Sequence, residues 1–444
     1  MTGIQQVFNT ILSRSDFISK YTNQFKDHRK MYDVLGYKNK LKIEDYLAVY
    51  LRQDIAQRIV EAYPQATWKN KPIITDTPME DDTSDFDMEY EALSKRLSLY
   101  HYLYRLDVLQ AIGQYGVLFI GVAGEDQFNL EAPLESVSGP EDILFLRPFS
   151  QESATIAKFN NNRMSPRFNM PEIYQLETGG DSGSDRGSSM PQNTFNVHHS
   201  RIIHCAENLL ENEVYGIPIL EKCYNRLNDL EKVVGGSAET FWQNARGGLN
   251  FNLDKETSLS PQDEQNIKKT MQDYMHQLSR TIYSRGADVK LLNMPVADPS
   301  NHVSVILDLI AGSTGIPKRI LIGSERGELS SSQDENNFIN RVEERQQNFV
   351  EPNILRKVID RFIELGALPD PKGYEVIWKA HDIISDKEKS EIARNKAQAI
   401  SAYANTIGVP SEMIVTPKQF VEDILGEEYK EEEIDGLSIE ETDE

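Results

Sequence analysis

Apolar residues recur at every fourth position in IEDYLAVYLRQDIAQRIVEAY (43–63). Leu47, Leu51, Ile55 and Ile59 therefore share one face, and the spacing predicts a single amphipathic helix that stops before Pro64. The acidic stretch DTPMEDDTSDFD (76–87) is a linker by composition, and residues 88–113 carry a second long helical pattern. Gly116 then introduces VLFIGVAG (117–124), a short apolar run with the character of a buried strand. DILFLRPF (142–149), EIYQLET (172–178) and NVHHSRIIHC (196–205) are further strands, with GGDSGSDRGSSMPQN (179–193) as a flexible hairpin tip. The first half is thus mixed α+β.

The pattern changes after residue 217. IPILEKCYNRLNDLEKVVGGSAETFWQNA (217–245) is helical, with an interruption expected at Gly235–Gly236, and GGLNFNL (247–253) is extended. Ser260 and Pro261 open another helix, as N-cap and first helical residue, over 258–280. DVKLLNM (288–294) predicts a strand and HVSVILDLIAGST (302–314) a shorter apolar helix. GIPKRILIGSERGELSSS (315–332) follows, rich in glycine, serine and cations. Ser332 and Glu335 have capping-box spacing, so a long helix is expected from there to about Leu365, closed by Gly366. Its apolar stripe runs from Phe338 through Val342, Val350, Ile354 and Val358 to Phe362. Pro352 sits inside it and predicts a kink. YEVIWKAHDI (374–383) is a strand, and 386–406 and 417–426 are helical; the chain has no internal repeat.

With 444 residues, 39 % hydrophobic and 26 % charged, the chain can bury a sizeable core in more than one domain. No apolar run approaches the roughly twenty residues of a membrane span. The N-terminal MTGIQQVFNTILSRSDF lacks the apolar centre of a signal peptide. Two cysteines, Cys205 and Cys223, cannot make a disulfide framework, so a reducing compartment is expected. The net charge of −23 argues against a sequence-specific DNA binder, yet leaves room for a protein past which DNA slides without sticking. Part of that charge lies in EEYKEEEIDGLSIEETDE (427–444), with ten acids and one lysine, which predicts a solvated, disordered tail or an exposed interaction tail.

The stretch 315–332 uses the vocabulary of phosphate binding but not its grammar. A P-loop places lysine and a hydroxyl side by side at a helix start, after GxxxxG. Gly312, Gly315 and Lys318 lack that spacing, Arg319 follows Lys318, and neither Gly323 nor Gly327 precedes a lysine. Two H-x-S-x-apolar matches, His198–Ile202 and His302–Ile306, are the paired signature of two-histidine phosphodiesterases acting on nucleotides. That chemistry needs both on strands facing one cleft, and His302 falls at a helix start. His198, His199, His204 and Cys205 could be read as metal ligands, but alternation on a strand sends them to opposite faces. The acidic run Asp81, Asp82, Asp85, Asp87, Glu89 lacks the glycine and terminal glutamate of an EF-hand loop. Lys268, Lys269, Arg280, Arg285 and Lys290 are interleaved with acids and offer no aromatic stacking platform. Neither a metal nor a cofactor is expected.

The order of parts is more informative. An apolar helix ends in a G-I-P turn, passes RILIG, enters a polar loop and continues as a proline-containing helix: GIPKRILIGSERGELSSSQDENNFINRVEERQQNFVEPNILRKVIDRFIELG (315–366). In this the chain resembles the portal proteins of tailed bacteriophages. LGYKNKLKIEDYLAVYLRQDIAQRIVEAYPQATWKNKPI (35–73) is similar to the N-terminal wing segment of one portal subgroup. VHHSRIIHCAENLLENEVYGIPILEKCYNRLNDLEKV (197–233) is similar to the strand, glycine turn and first stem helix.

The resemblance implies an α+β, mainly helical subunit assembled as a ring with a central channel. By that likeness 1–217 is the wing with its β-rich module, 218–246 the first stem helix and 247–297 the clip. The second stem helix and its turn cover 298–321, the tunnel loop 322–331, and the long kinked helix with a wing strand 332–384. Crown helices take 385–426 and the acidic tail 427–444. The loop residues Gly323, Ser324, Glu325, Arg326, Gly327 and Glu328 would then face DNA, with Lys318 and Arg319 as basic residues near the tunnel and Pro352 as the helix kink. The implied function is non-enzymatic: a ring of around twelve copies at one capsid vertex of the virion, through which double-stranded DNA is packaged and ejected. The implied partners are the terminase large subunit, a head–tail adaptor and the major capsid or scaffolding protein, with no membrane involved. The alternatives are the phosphodiesterase and another minor head or connector protein.

Overall fold

The computed structural model describes residues 31–77, 84–124, 129–179, 193–246, 248–253, 260–275, 287–292, 298–323, 330–379, 386–410 and 414–425. The chain divides into two compact units, Met1–Gly327 with Asn337–Trp378, and Glu328–Asn336 with Lys379–Glu444.

The first unit opens with helices α1 (Met31–Leu35), α2 (Ile43–Arg52) and α3 (Asp54–Thr67). The single helix expected over 43–63 is two, because Gln53 is extended (φ −109°, ψ 121°) and its side chain donates to the Leu227 carbonyl at 3.0 Å. The break rotates the apolar face: Ala56, Ile59 and Val60 are buried while Leu51 is 58 % exposed. Helix α3 also runs through Pro64 to Thr67, where Thr67 and Trp68 are anchored in buried polar contacts described below. Strand β1 (Ile73–Thr75) and helices α4 (Asp85–Leu97) and α5 (Leu99–Ile112) follow. The second expected long helix is likewise broken, at Ser98 in the left-handed region (φ 52°), which lets Leu97 and Leu99 both turn inward.

Strand β2 (Gly116–Val122) is buried along its whole length because each face meets a different core. Leu118, Ile120 and Val122 pack with Leu99, Leu103, Leu106 and the later helix residues Val358 and Phe362. Val117 and Phe119 pack with Tyr174, Leu176 and Val197 of a second sheet. The strand is central in an antiparallel sheet, between β3 (Ile143–Ser150) and a strand described below, with Val117 opposite Phe149. The second sheet is β4 (Ala154–Phe159), β5 (Pro171–Thr178) and β6 (Asn193–His198), in that order. Strand β4 escapes the sequence pattern because its burial alternates poorly and it carries a bulge. The stretch 196–205 is not one strand. His199–Arg201 form a 3-10 turn, after which β7 (Ile202–Cys205) joins the first sheet beside β2.

Helix α6 (Tyr224–Arg246) runs straight through Gly235–Gly236, so the expected interruption is absent. Two exposed glycines cost roughly 1 kcal/mol each against alanine, too little to stop a packed helix from propagating. Strands β8 (Gly248–Leu253) and β9 (Ala287–Leu292) pair antiparallel around helix α7 (Pro261–Met275). Ser260 caps α7 as its sequence indicates, its hydroxyl accepting from the Asp263 amide at 3.2 Å. Helices α8 (Ser300–Thr314), α9 (Lys318–Ile322) and α10 (Ser330–Arg345) come next. Because α10 starts at Ser330, Ser332 and Glu335 lie within it rather than forming its cap.

The helical path continues without a break through a π-helical segment, Gln346–Leu355, into α11 (Arg356–Glu364). Pro352 lies in that segment. Its missing N–H and its ring clash with an α ladder, and the wider π turn is how the chain absorbs them. Gly366 (φ 77°) closes the helix, as its sequence position indicates. Strand β10 (Glu375–Ile377) returns to pair with β1. A third core joins α2 and α3 to α6, α8 and α10 through Ile59, Leu227, Ile306, Ile310 and Val342. In the second unit, helix α12 (Asp386–Ile407) buries Ala393 and Ala404, and α13 (Pro417–Gln419) leads into π turns over Phe420–Leu425.

Candidate functional site

The G-I-P turn is a rigid joint. Gly315 caps α8 in the left-handed conformation (φ 74°), and a Cβ there would sit 2.1 Å from the Arg341 Nη1. Arg341 donates to the Gly315 carbonyl at 3.0 Å, tying the turn to α10. Ile316 is fully buried, and Pro317 starts α9 with its fixed φ. Lys318 Nζ donates to the Ser304 hydroxyl (2.7 Å) and the Asp308 carboxylate (2.9 Å), so it staples α9 to α8. Arg58 Nε donates to the Ile320 carbonyl at 3.1 Å, fixing α9 on α3. Arg319 is half-buried. Gly323 is the left-handed cap of α9 (φ 67°). Ser324, Glu325, Arg326, Gly327 and Glu328, the rest of the expected loop set, lie outside the described residues.

A second constellation was not legible in the sequence. Arg345, the last residue of α10, meets Asp107 of α5 in a two-pronged pair (2.5 and 3.1 Å) and Glu207, after β7, in another (both 2.9 Å). Thr67 Oγ1 accepts from Arg345 at 3.1 Å, Trp68 Nε1 donates to Asp107 at 2.9 Å, and Gln110 donates to both carboxylates at 3.0 Å. Burial alone would lower the guanidinium pKa, but the two carboxylates outweigh it and hold it well above its ordinary range. All the arginine nitrogens are matched, so the charge is stable where it is buried. Arg345, Glu207 and Gln110 of the cluster line a cleft of about 560 Å³ together with Tyr63, Asn208, Lys222, Arg341 and Glu344. One sequence signal could have found it: an aspartate inside the apolar helix LYRLDVLQAI requires a cation.

The histidine motifs do not form a catalytic pair. His198 Nδ1 contacts its own Ser200 hydroxyl at 2.9 Å, at the crossover between sheets. His302 is exposed in the first turn of α8, and Ser304 is engaged by Lys318. Their neighbours pack in different cores, Val197 and Ile202 in one and Ile306 and Leu307 in another. The two facing strands that phosphodiester chemistry needs are therefore not formed, because the second motif is helical. His204 bridges Tyr174 (3.1 Å) and the Val214 carbonyl (2.9 Å), and burial pulls its pKa down to about 4. His199 is pulled down to about 4 by burial and by Arg167. Among the described residues no group of His, Cys, Asp or Glu could hold a metal, and no helix is long and apolar enough to cross a membrane.

A family model described as phage portal protein matches residues 44–402. Comparison with curated proteins gives no match. Among solved structures, the neck of an empty gene transfer agent particle computed with C6 symmetry has a TM-score of 0.51 at 14 % identity, covering 84 % of this chain and 97 % of that one. The neck of the native particle, computed with C12 symmetry, gives 0.49 at 12 %, with 86 % and 93 % covered. An HK97-family phage portal protein from Corynebacterium diphtheriae gives 0.37 at 10 %, with 76 % and 95 % covered. The first of these shares the fold of this chain over most of its length.

Proposed function

The chain belongs to the phage portal protein family, and from that premise we propose that it forms a ring of around twelve copies at one capsid vertex, through which double-stranded DNA is packaged and ejected. The relative with the same fold sits in a neck computed with C6 symmetry, and a closed ring is the reading this supports. In this reading 1–217 is the wing, 218–246 and 298–321 the stem, 247–297 the clip, 332–384 the long helix with its wing strand, and 385–426 the crown. Residues 322–331 are the tunnel loop.

The observation that carries the reading is the fixed base of that loop. Gly315, Arg341, Lys318–Asp308 and Arg58 lock α8, the turn and α9 into one body, from which the chain leaves at Gly323. A loop on a rigid base can touch a moving duplex repeatedly without carrying the ring with it. Lys318 is paired with Asp308, and Arg326, flanked in the sequence by Glu325 and Glu328, is the loop cation that would meet phosphate. A single weak contact suits translocation, since many released counterions per subunit would stall it. The ring performs no covalent chemistry. It docks the terminase large subunit during filling and a head–tail adaptor afterwards, with the major capsid or scaffolding protein around it in the virion.

Negative-stain electron microscopy with a mass determination tests the reading. Closed rings of about a dozen subunits with an open channel are expected; a compact dimer removes the proposal.

A further inference from the structure

The crossover between the two small sheets gathers more cations than carboxylates. Arg167 comes from the loop 160–170, which is closed by the Asn160 amide donating to the Met170 carbonyl and the Asn169 amide donating to the Asn160 carbonyl, both at 2.9 Å. Its Nη2 donates to the Pro171 carbonyl at 3.0 Å, where β5 starts. Two residues further on, Ile173 is paired in register with His198, the last residue of β6. The His198 and His199 rings lie 4.3 Å apart, centroid to centroid. Arg361 donates to the Ser200 carbonyl at 2.8 Å, and Arg201 is buried in the same turn. Acids of this corner are engaged, Glu172 with Lys158 at 2.9 Å and Glu364 with Arg361 at 2.8 Å. Among the described residues no carboxylate pairs with Arg167.

Three donors in this corner lack acceptors. Arg167 Nε is closed off from solvent and bonds to nothing among the described residues. Leaving such a group unpaired costs about 1–3 kcal/mol, and more when it is charged. The Leu134 amide donates to the Ser200 hydroxyl at 2.8 Å, so that hydroxyl turns its own proton towards His198 Nδ1 at 2.9 Å. The Ser200 amide donates to the same nitrogen at 3.2 Å. Nδ1 is therefore an acceptor, and the neutral ring carries its proton on Nε2, which has no partner among the described residues. Burial, and after it the Arg167 charge, pulls the His199 pKa down to about 4, so this ring too is neutral with an N–H to give. Arg167, His198 and His199 are all half-buried, so the corner opens to solvent on one side.

We propose that this corner is an oxyanion site, in which Arg167, His198 Nε2 and a His199 ring nitrogen donate to a free ion of phosphate type. A guanidinium does not discharge itself, so the charge of Arg167 persists, and an oxyanion supplies both the acceptors and the countercharge. The imidazoles serve as neutral donors, since burial and the neighbouring arginines oppose their protonation. A tetrahedral ion accepts in several directions at once, which suits donors arriving from a loop, a strand end and a turn. Once bound, the ion ties the loop 160–170, whose Met164 is 90 % exposed, to the end of β6.

Isothermal titration calorimetry of the full chain at pH 7 with inorganic phosphate tests the site. A single ion per chain is expected. The affinity is expected to fall about tenfold in Arg167→Gln and severalfold in His199→Gln, both with the circular dichroism of the parent. No binding heat with millimolar phosphate, or equal affinity in the parent and both variants, would overturn the site. Where Arg167→Gln fails to fold, an unchanged affinity in His199→Gln overturns it alone. Binding of phosphoserine without binding of inorganic phosphate would overturn the assignment to a free ion. Every contact lies within one chain, so the outcome does not depend on ring formation.

Discussion

Arg345 is held by two carboxylates, a threonine and the face of Phe349 (5.2 Å to the ring centroid), with only 9 % of its side chain exposed. Its removal leaves Asp107, which is 0 % exposed, without its cation. Arg345→Ala is expected to destabilise the first unit by about 3–5 kcal/mol in chemical denaturation. Arg345→Lys should recover only part of the loss, since an ammonium cannot form two parallel pairs at once. Gly315→Ala combines a left-handed backbone with a Cβ directed at Arg341, and is expected to cost about 1–2 kcal/mol and lower the melting temperature. Gly216 is more restricted still, because a Cβ there would lie 2.0 Å from the Glu207 carbonyl oxygen. None of these contacts follows from local sequence. Asp107, Glu207 and Arg345 are far apart along the chain, and only the fold brings them together.

At the scale of elements, the two small sheets share a core that His204 crosses, bonded to Tyr174 of β5 and to the Val214 carbonyl. In the unfolded chain its imidazole takes a proton near 6.5, whereas in the fold it resists until about 4. Between those values the unfolded state holds more protons. Stability is therefore complete above about pH 6.5 and falls as the pH drops towards 4, by up to about 3 kcal/mol for this group alone. His199 changes in the same direction and the same window. Hydrogen exchange at pH 7 and pH 4.5 should show the strands β2, β5 and β7 losing protection at the lower value, and His204→Gln should flatten that dependence. Strands β2, β3, β5 and β7 were visible in the sequence as apolar runs, while β4 was not. Their partition between two sheets was not, because the 3-10 turn at His199–Arg201 depends on what Ser200 and Arg361 bind: Arg361 donates to the Ser200 and Leu134 carbonyls at 2.8 and 2.7 Å.

At the scale of the whole molecule, the proposed ring would bring together many copies of a chain of net charge −23. Repulsion between copies is long-ranged and screened by salt, while burial of apolar surface is neither. Raising the salt from about 20 mM to about 300 mM shortens the Debye length roughly fourfold. It is therefore expected to increase the fraction of rings in sedimentation velocity. An interface built on ion pairs would respond in the opposite direction. Arg326→Ala is expected to leave ring formation unchanged and to alter DNA passage in a packaging assay, which separates the loop's role from assembly.

Amphipathic spacing, the Ser260–Pro261 helix start, the glycine caps at Gly315 and Gly366, and the order helix, G-I-P turn, loop and long helix are properties of neighbours along the chain. The sequence by itself therefore determined the type of most elements, though not of β4 or the turn at His199–Arg201, together with the family resemblance and the absence of a phosphate-loop spacing. Tertiary structure decided what depends on distant partners. It split the first two long helices at Gln53 and Ser98, turning Ala56 and Ile59 and then Leu97 and Leu99 inward, and it let α6, packed through Leu227 and Leu230, run on through its exposed glycines. It turned the region of Pro352 into a π segment rather than a break, and it gathered Arg345, Asp107 and Glu207 into one buried cluster. Propensity acts over a few residues at tenths of a kcal/mol each, whereas burial and charge pairing act across the whole fold at several times that. Where the two disagreed, burial and charge pairing set the structure.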